Sequence, residues 1–215
     1  MHPASCGNWE YKDYPKYSEL NNLCIKSLDA LRSDSSLIYS QMADTRQIHG
    51  NWFGQLTPEN QDYLAGNYRG ADYECLKFNS VTIAGFLGTS PSLVDSEMTA
   101  YHVELESFME TLESKFKELQ AAKKNKKIEK RALFIYQLGE IAAAFYVLFL
   151  VIHPYANGNG HIARWIVWMM LIRSKHHPQT WPLNSRPPTD DLIRLYRMND
   201  KMPLIQFIIK AIRGH

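Results

Sequence analysis

Residues 153–164 read His153-Pro154-Tyr155-Ala156-Asn157-Gly158-Asn159-Gly160-His161-Ile162-Ala163-Arg164, and their types suit a phosphate and a proton. Gly158 and Gly160 flank Asn159 just ahead of an apolar, helix-like segment. Glycines allow a tight turn, and the backbone N–H groups there converge at the positive end of the following helix, a ready pocket for an anion. One helical turn later, Arg164 brings a guanidinium to the same point. His161 adds a donor. His153, just ahead of the turn, is suited to take a proton from an incoming hydroxyl beside the bound anion.

Two familiar sites are excluded. No Gly-Lys-Ser/Thr follows the glycines, so the turn is not a P-loop. His153 and His161 are separated by the turn and have no cysteine or carboxylate nearby, so they do not form an obvious zinc site. A competing reading is plain scaffolding, since a Gly/Pro junction between helices with a histidine at its edge is ordinary.

The elements that must position these residues are mostly helical. Ala132–Ile152 is apolar nearly all round and reads as a central helix ending at His153, where Pro154 biases its predecessor away from the helical region. The run Ile141–Ile152 is twelve residues long, too short to span a bilayer. His161–Ser174 is the helix leaving the turn, with Trp165 and Trp168 packed in the core. Upstream, helices are expected at about Ser18–Leu31, at Ser35–Ile48, from Thr57-Pro58-Glu59 onward, and at Asp95–Leu119 with Ser92 or Asp95 as its cap. The β-branched Val81-Thr82-Ile83, bounded by glycines, predicts a small hairpin or flap. Residues 121–131 carry a basic run read as a solvated connector. Residues 176–191 read as a proline-broken loop, followed by short helices at Leu192–Met198 and Leu204–Ile212.

The bulk numbers bound the function. With 215 residues and 45% hydrophobic content, the chain can bury one sizeable core. A net charge of +2 argues against a dedicated nucleic-acid binder. Cys6, Cys24 and Cys75 are an odd number with no CxxC pair, so a disulfide framework is not expected and a reducing, cytoplasmic setting is. The polar, aromatic N-terminus does not resemble a secretory signal. No membrane partner is expected.

The stretch 153–164 resembles the signature of the Fic family, H-P-F-x-D/E-G-N-G-R-x-x-R. It matches at His153, Pro154, Gly158, Asn159, Gly160 and Arg164, with Tyr155 as a conservative aromatic. The resemblance extends to the helices on either side, to the flap at 76–87 and to Gly66-Asn67-Tyr68-Arg69-Gly70 preceding it. It covers about residues 35–212, leaving 1–34 as an N-terminal extension and 35–215 as the Fic domain. The implied fold is mostly α, a Fic-type helical bundle with a β-hairpin flap.

The resemblance implies transfer of AMP, or another nucleoside monophosphate, from ATP or another nucleoside triphosphate to a Ser, Thr or Tyr hydroxyl of a protein target. His153 is then the base. Gly158, Asn159, Gly160, His161 and Arg164 bind the nucleotide phosphates. Val81, Thr82 and Ile83 in the flap hold the target by strand addition. The protein is expected to act in the cytoplasm or as a delivered effector; target and oligomeric state are not specified. Two positions depart from the signature. Asn157 stands where the family has the acidic residue that binds Mg²⁺, which weakens the expected metal site. His161 replaces the first arginine, exchanging a charged fork for an imidazole.

Ser35-Ser36-Leu37-Ile38-Tyr39-Ser40 resembles the family's inhibitory helix, with Tyr39 at the glutamate position and Ser40 at the glycine position. On that alignment the charged brake on Arg164 is missing; on the other reading these residues simply start a core helix. A degenerate Fic domain that only binds a nucleotide or a partner, and a Fic-fold phosphotransferase using another donor, stand as alternatives.

Overall fold

The computed structural model of the protein describes residues 6, 9–83, 85–176, 178 and 190–213. Among them, helix-period apolar residues build eight α-helices: α1 (Leu20–Ser33), α2 (Ser36–Ala43), α3 (Arg46–Phe53), α4 (Val94–Ala121), α5 (Lys124–Ile152), α6 (Asn159–Arg173), α7 (Asp190–Arg197) and α8 (Met202–Arg213). Two short strands, β1 (Thr82–Ile83) and β2 (Phe86–Leu87), pair antiparallel, Thr82 opposite Leu87 and Ile83 opposite Phe86.

Helix α5 is the central rod, packed by α4, α6 and α8. It is long and apolar enough to cross a membrane by composition, yet over half of that apolar window is buried inside this fold. The twelve-residue apolar run is thus one end of a 29-residue helix. Helix α6 is buried along almost its whole length, Trp165 and Trp168 included, as a second core helix must be.

Several boundaries differ from expectation. The segment 35–48 is not one helix. It breaks at Asp44, whose carboxylate accepts the Arg46 N–H at 2.9 Å and starts α3 separately. Thr57-Pro58-Glu59 starts no α-helix; a 3₁₀ turn follows at Asp62–Leu64. Helix α4 begins after Leu93 with no side-chain cap, so neither Ser92 nor Asp95 caps it. The basic run forms the opening turns of α5. Most of the loop expected at 176–191 lies outside the described residues.

The cysteine expectation is overturned. Cys6 and Cys75 form a disulfide across a sequence separation of 69, and only Cys24 is free. An odd count leaves room for one pair, and spacing cannot show a contact this distant. The ground for a reducing compartment goes with it. Residues upstream of 35 are not a detached tail either: Cys6, Trp9, Tyr11, Leu20, Cys24 and Leu31 all belong to the main hydrophobic core.

Candidate active site

The site forms where α5 stops and α6 starts. His153 caps α5 in a left-handed conformation, φ 51°, ψ 60°, with its N–H still bonded to Phe149 O at 2.8 Å. That conformation is unfavourable for a non-glycine residue, so the surroundings must hold it. Arg69 does so. It is 1% exposed, and its guanidinium donates to His153 O at 2.6 Å, Ile152 O at 2.9 Å, Thr89 O at 3.0 Å and Asn79 O. Its own N–H bonds Pro154 O at 2.7 Å. A cation thus neutralises the negative end of α5 and ties it to both sides of the flap. Burial lowers its pKa to about 10, which leaves it charged at neutral pH.

The turn from 154 to 158 is braced from within and behind. Asn159 grips Tyr155 at both backbone atoms, accepting from N at 2.9 Å and donating to O at 2.8 Å. Behind it, the buried His49 accepts the Gly66 N–H on Nδ1 at 2.9 Å, so Nε2 carries the proton and donates to Asn157 O at 3.0 Å. Its ring stacks on Tyr155 at 3.7 Å, and the Tyr155 hydroxyl pairs with Thr45 at 2.7 Å. Gly158 starts α6 at φ 78°, and a Cβ there would lie 2.6 Å from the Phe53 ring. Only glycine fits both constraints. The N–H groups of Asn159 and Gly160 then stand in the first turn of α6, where no intrahelical carbonyl reaches them.

These groups line a cavity of about 380 Å³ together with His153, His161, Arg164, Ile83 and Tyr146. Burial, then the nearby Arg69 charge, lower the His153 pKa to about 4, so its imidazole is neutral at pH 7. Its Nδ1 lies 3.3 Å from Leu150 O. A carbonyl only accepts, so that contact places the proton on Nδ1 and leaves Nε2 as the basic atom. Arg164 is buried beside the Tyr146 hydroxyl, Tyr11 and Cys24; burial lowers its pKa. His161 is edge-on to Tyr11 at 5.7 Å and Phe53 at 5.7 Å. Burial, then the charges of Arg164 and Lys12, push its pKa down to about 3. His161 is therefore a neutral lining residue, and the positive charge comes from its neighbours.

The Asn157 side chain braces the turn. Its Oδ1 accepts the Gly158 N–H at 2.8 Å, and its Nδ2 donates to Trp9 O at 2.7 Å. Both polar groups are engaged in the turn, and the position offers a magnesium ion a neutral amide oxygen in place of a carboxylate. A larger cavity of about 1060 Å³ opens beyond Trp9 and Glu10, reaching Gly70, Lys77–Val81 and Ser90–Ser92; Glu10 and Asn157 line both cavities.

In the flap, Ile83 faces the smaller cavity, Val81 the larger, and Thr82 is exposed. The base is fixed by Gly88 N–H to Val81 O at 3.0 Å and Thr89 N–H to Val151 O at 3.1 Å. Arg197 of α7 lies over the Phe86 ring at 4.1 Å. The expected brake residues sit elsewhere. Tyr39 lies over the Arg173 guanidinium at 4.4 Å, beyond the far end of α6, and neither Ser35, Tyr39 nor Ser40 lines the site cavity. Arg164 is approached from α1 instead, through Cys24.

Sequence reading missed His49, Tyr11, Lys12, Trp9 and Tyr146. Tyr146 sits on the face of α5 two turns before His153, which periodicity could have indicated. The others lie far away in sequence and gave no signal. No curated protein matches the chain. The family model for the Fic/DOC family matches residues 39–171, which include His153, the glycine turn, Arg164 and the flap, and the chain belongs to that family.

Proposed function

We propose that the protein transfers AMP, or another nucleoside monophosphate, from a nucleoside triphosphate to a Ser, Thr or Tyr hydroxyl of a protein. The observation carrying this reading is His153, a half-buried neutral imidazole with its basic Nε2 available, beside an N–H-lined turn and a buried arginine. The target oxygen attacks the α-phosphorus, its proton passes to His153 Nε2, and the bond to the β-phosphate oxygen breaks to release pyrophosphate. The N–H groups of Asn159 and Gly160 hold the α-phosphate oxygens, and Arg164 the departing phosphates. A base with pKa near 4 is weak. It suffices where bond breaking to the leaving group runs ahead of proton loss, as in a loose phosphoryl-transfer transition state. The unpaired edge of the flap receives the target segment as an added strand.

The specific observation favouring a second reading, a nucleotide-binding domain without catalysis, is Asn157, whose side chain is spent on Trp9 and Gly158. Label transfer in lysate separates the two. Label from the α-phosphate that appears on a protein and is lost in His153→Ala establishes nucleotidyl transfer. Label from the γ-phosphate alone establishes phosphotransfer. Nucleotide binding without either favours the second reading.

A further inference from the structure

Residues 9–12 run as a strap along the mouth of the site cavity. Three independent attachments hold it there. The Trp9 indole donates to Leu56 O at 2.6 Å, the Asn157 amide donates to Trp9 O at 2.7 Å, and upstream Cys6 is disulfide-bonded to Cys75. Tyr11 is buried, its ring against Phe53 at 5.0 Å and His161 at 5.7 Å. The Glu10 carboxylate accepts the Lys12 N–H at 3.3 Å and so caps the short turn that carries Lys12. Lys12 itself lines the cavity beside Gly158, Gly160 and Arg164.

The signature has lost a charge at His161, and the strap places one opposite it. We infer that Lys12 is a phosphate-binding residue, that it supplies the second cation of the anion pocket beside Arg164, and that Asn157 and the Cys6–Cys75 disulfide are what hold it in position. The ligand is the polyphosphate chain of a nucleoside triphosphate; this identification rests on the proposed function, whereas the cation itself serves any polyphosphate. The exposed ammonium has room to follow the anion, and Arg164 provides the fixed contact. Asn157 thereby gains a role that an acid there cannot fill. An aspartate has no N–H to give Trp9 O and sets a negative charge against that carbonyl. The residue suits a clasp rather than a metal ligand.

The test is calorimetric titration of the intact, oxidised protein with inorganic tripolyphosphate, which reports the anion pocket independently of base recognition or catalysis. Lys12→Ala is expected to weaken binding about tenfold, the size of one charge-assisted contact, and Lys12→Arg to retain it. Asn157→Asp is expected to weaken binding several-fold, although it brings the position to the signature's acidic residue. Reduction of the disulfide is expected to do the same in the parent protein and to change nothing in Cys6→Ser. No tripolyphosphate binding by the parent protein, or equal binding by Lys12→Ala, overturns the inference. Tighter binding in Lys12→Ala or after reduction also overturns it, by showing that the strap is a cover that excludes the anion. Tripolyphosphate binding that depends on Lys12, with no label transfer from a nucleotide, sustains the inference while the proposed function fails.

Discussion

His153 gains its properties from position rather than from type. An exposed imidazole titrates near 6.5, and this one near 4, because burial and the Arg69 cation both oppose the charged form. Its left-handed backbone ends α5 at the cavity wall, and Leu150 O fixes the tautomer. A pH-rate profile of label transfer should therefore be flat from about pH 8 down to about pH 5, with its acid limb near 4. A limb near 6.5 would mean that the histidine is solvated in the working state. Gly158 makes a second residue-scale case. An alanine there must adopt φ 78° and drive its Cβ to 2.6 Å from Phe53. The left-handed backbone costs about 1–2 kcal/mol and the overpacking about 1–3 kcal/mol. Gly158→Ala should lower the urea-unfolding free energy by about 2–5 kcal/mol, the sum of these, and tripolyphosphate affinity should fall as Phe53 is displaced.

At the scale of elements, Arg69 ties together three pieces through one side chain and its own N–H: the end of α5, the turn after it and the two legs of the flap. A buried cation bonded only to carbonyls is expensive, and its removal leaves those carbonyls unsatisfied at about 1–3 kcal/mol each. Arg69→Met should destabilise the fold by more than about 3 kcal/mol, because one apolar side chain cannot satisfy several acceptors. Arg69→Lys, with one ammonium for that fork, should fold but loosen the flap, read as faster amide exchange at Gly88 and Thr89. This junction also marks the limit of sequence reading. Helices α4, α5 and α6 and the hairpin were legible because long apolar periods and a β-branched run between glycines are local signals. The glycine turn with His153 and Arg164 was legible because the whole site motif lies within twelve residues. The break at Asp44 was hidden because a carboxylate competing for one backbone N–H outweighs an apolar period that continues on both sides of it. The strap, His49 and the cysteine pair depend on contacts across many tens of residues, which no spacing rule reaches.

For the whole molecule, the N-terminal segment and the core helices share one hydrophobic core, since Trp9 and Tyr11 pack in the same cluster as α5 and α6. The disulfide closes a loop spanning a sequence separation of 69, and constraining such a loop in the unfolded chain contributes at most about 4 kcal/mol. Cys75→Ser should lower the thermal midpoint by several degrees, with no change on adding reductant. Acid sets the second global limit. His49 and His161 are buried and His153 is half-buried, all in neutral form, with pKa values of about 3, 3 and 4 in the folded chain. In the unfolded chain they return to about 6.5. Between these values the unfolded state holds more protons than the folded state, so falling pH favours unfolding. Stability is full above about pH 6.5 and should decline steadily as pH falls toward 4. Urea midpoints measured at several pH values across that window test this. In His161→Phe the edge contacts to Tyr11 and Phe53 persist and one titrating group is gone, so its midpoint should fall less steeply. An equal slope in the variant would show that His161 is already hydrated in the folded protein, and that burial behind Tyr11 does not hold it neutral.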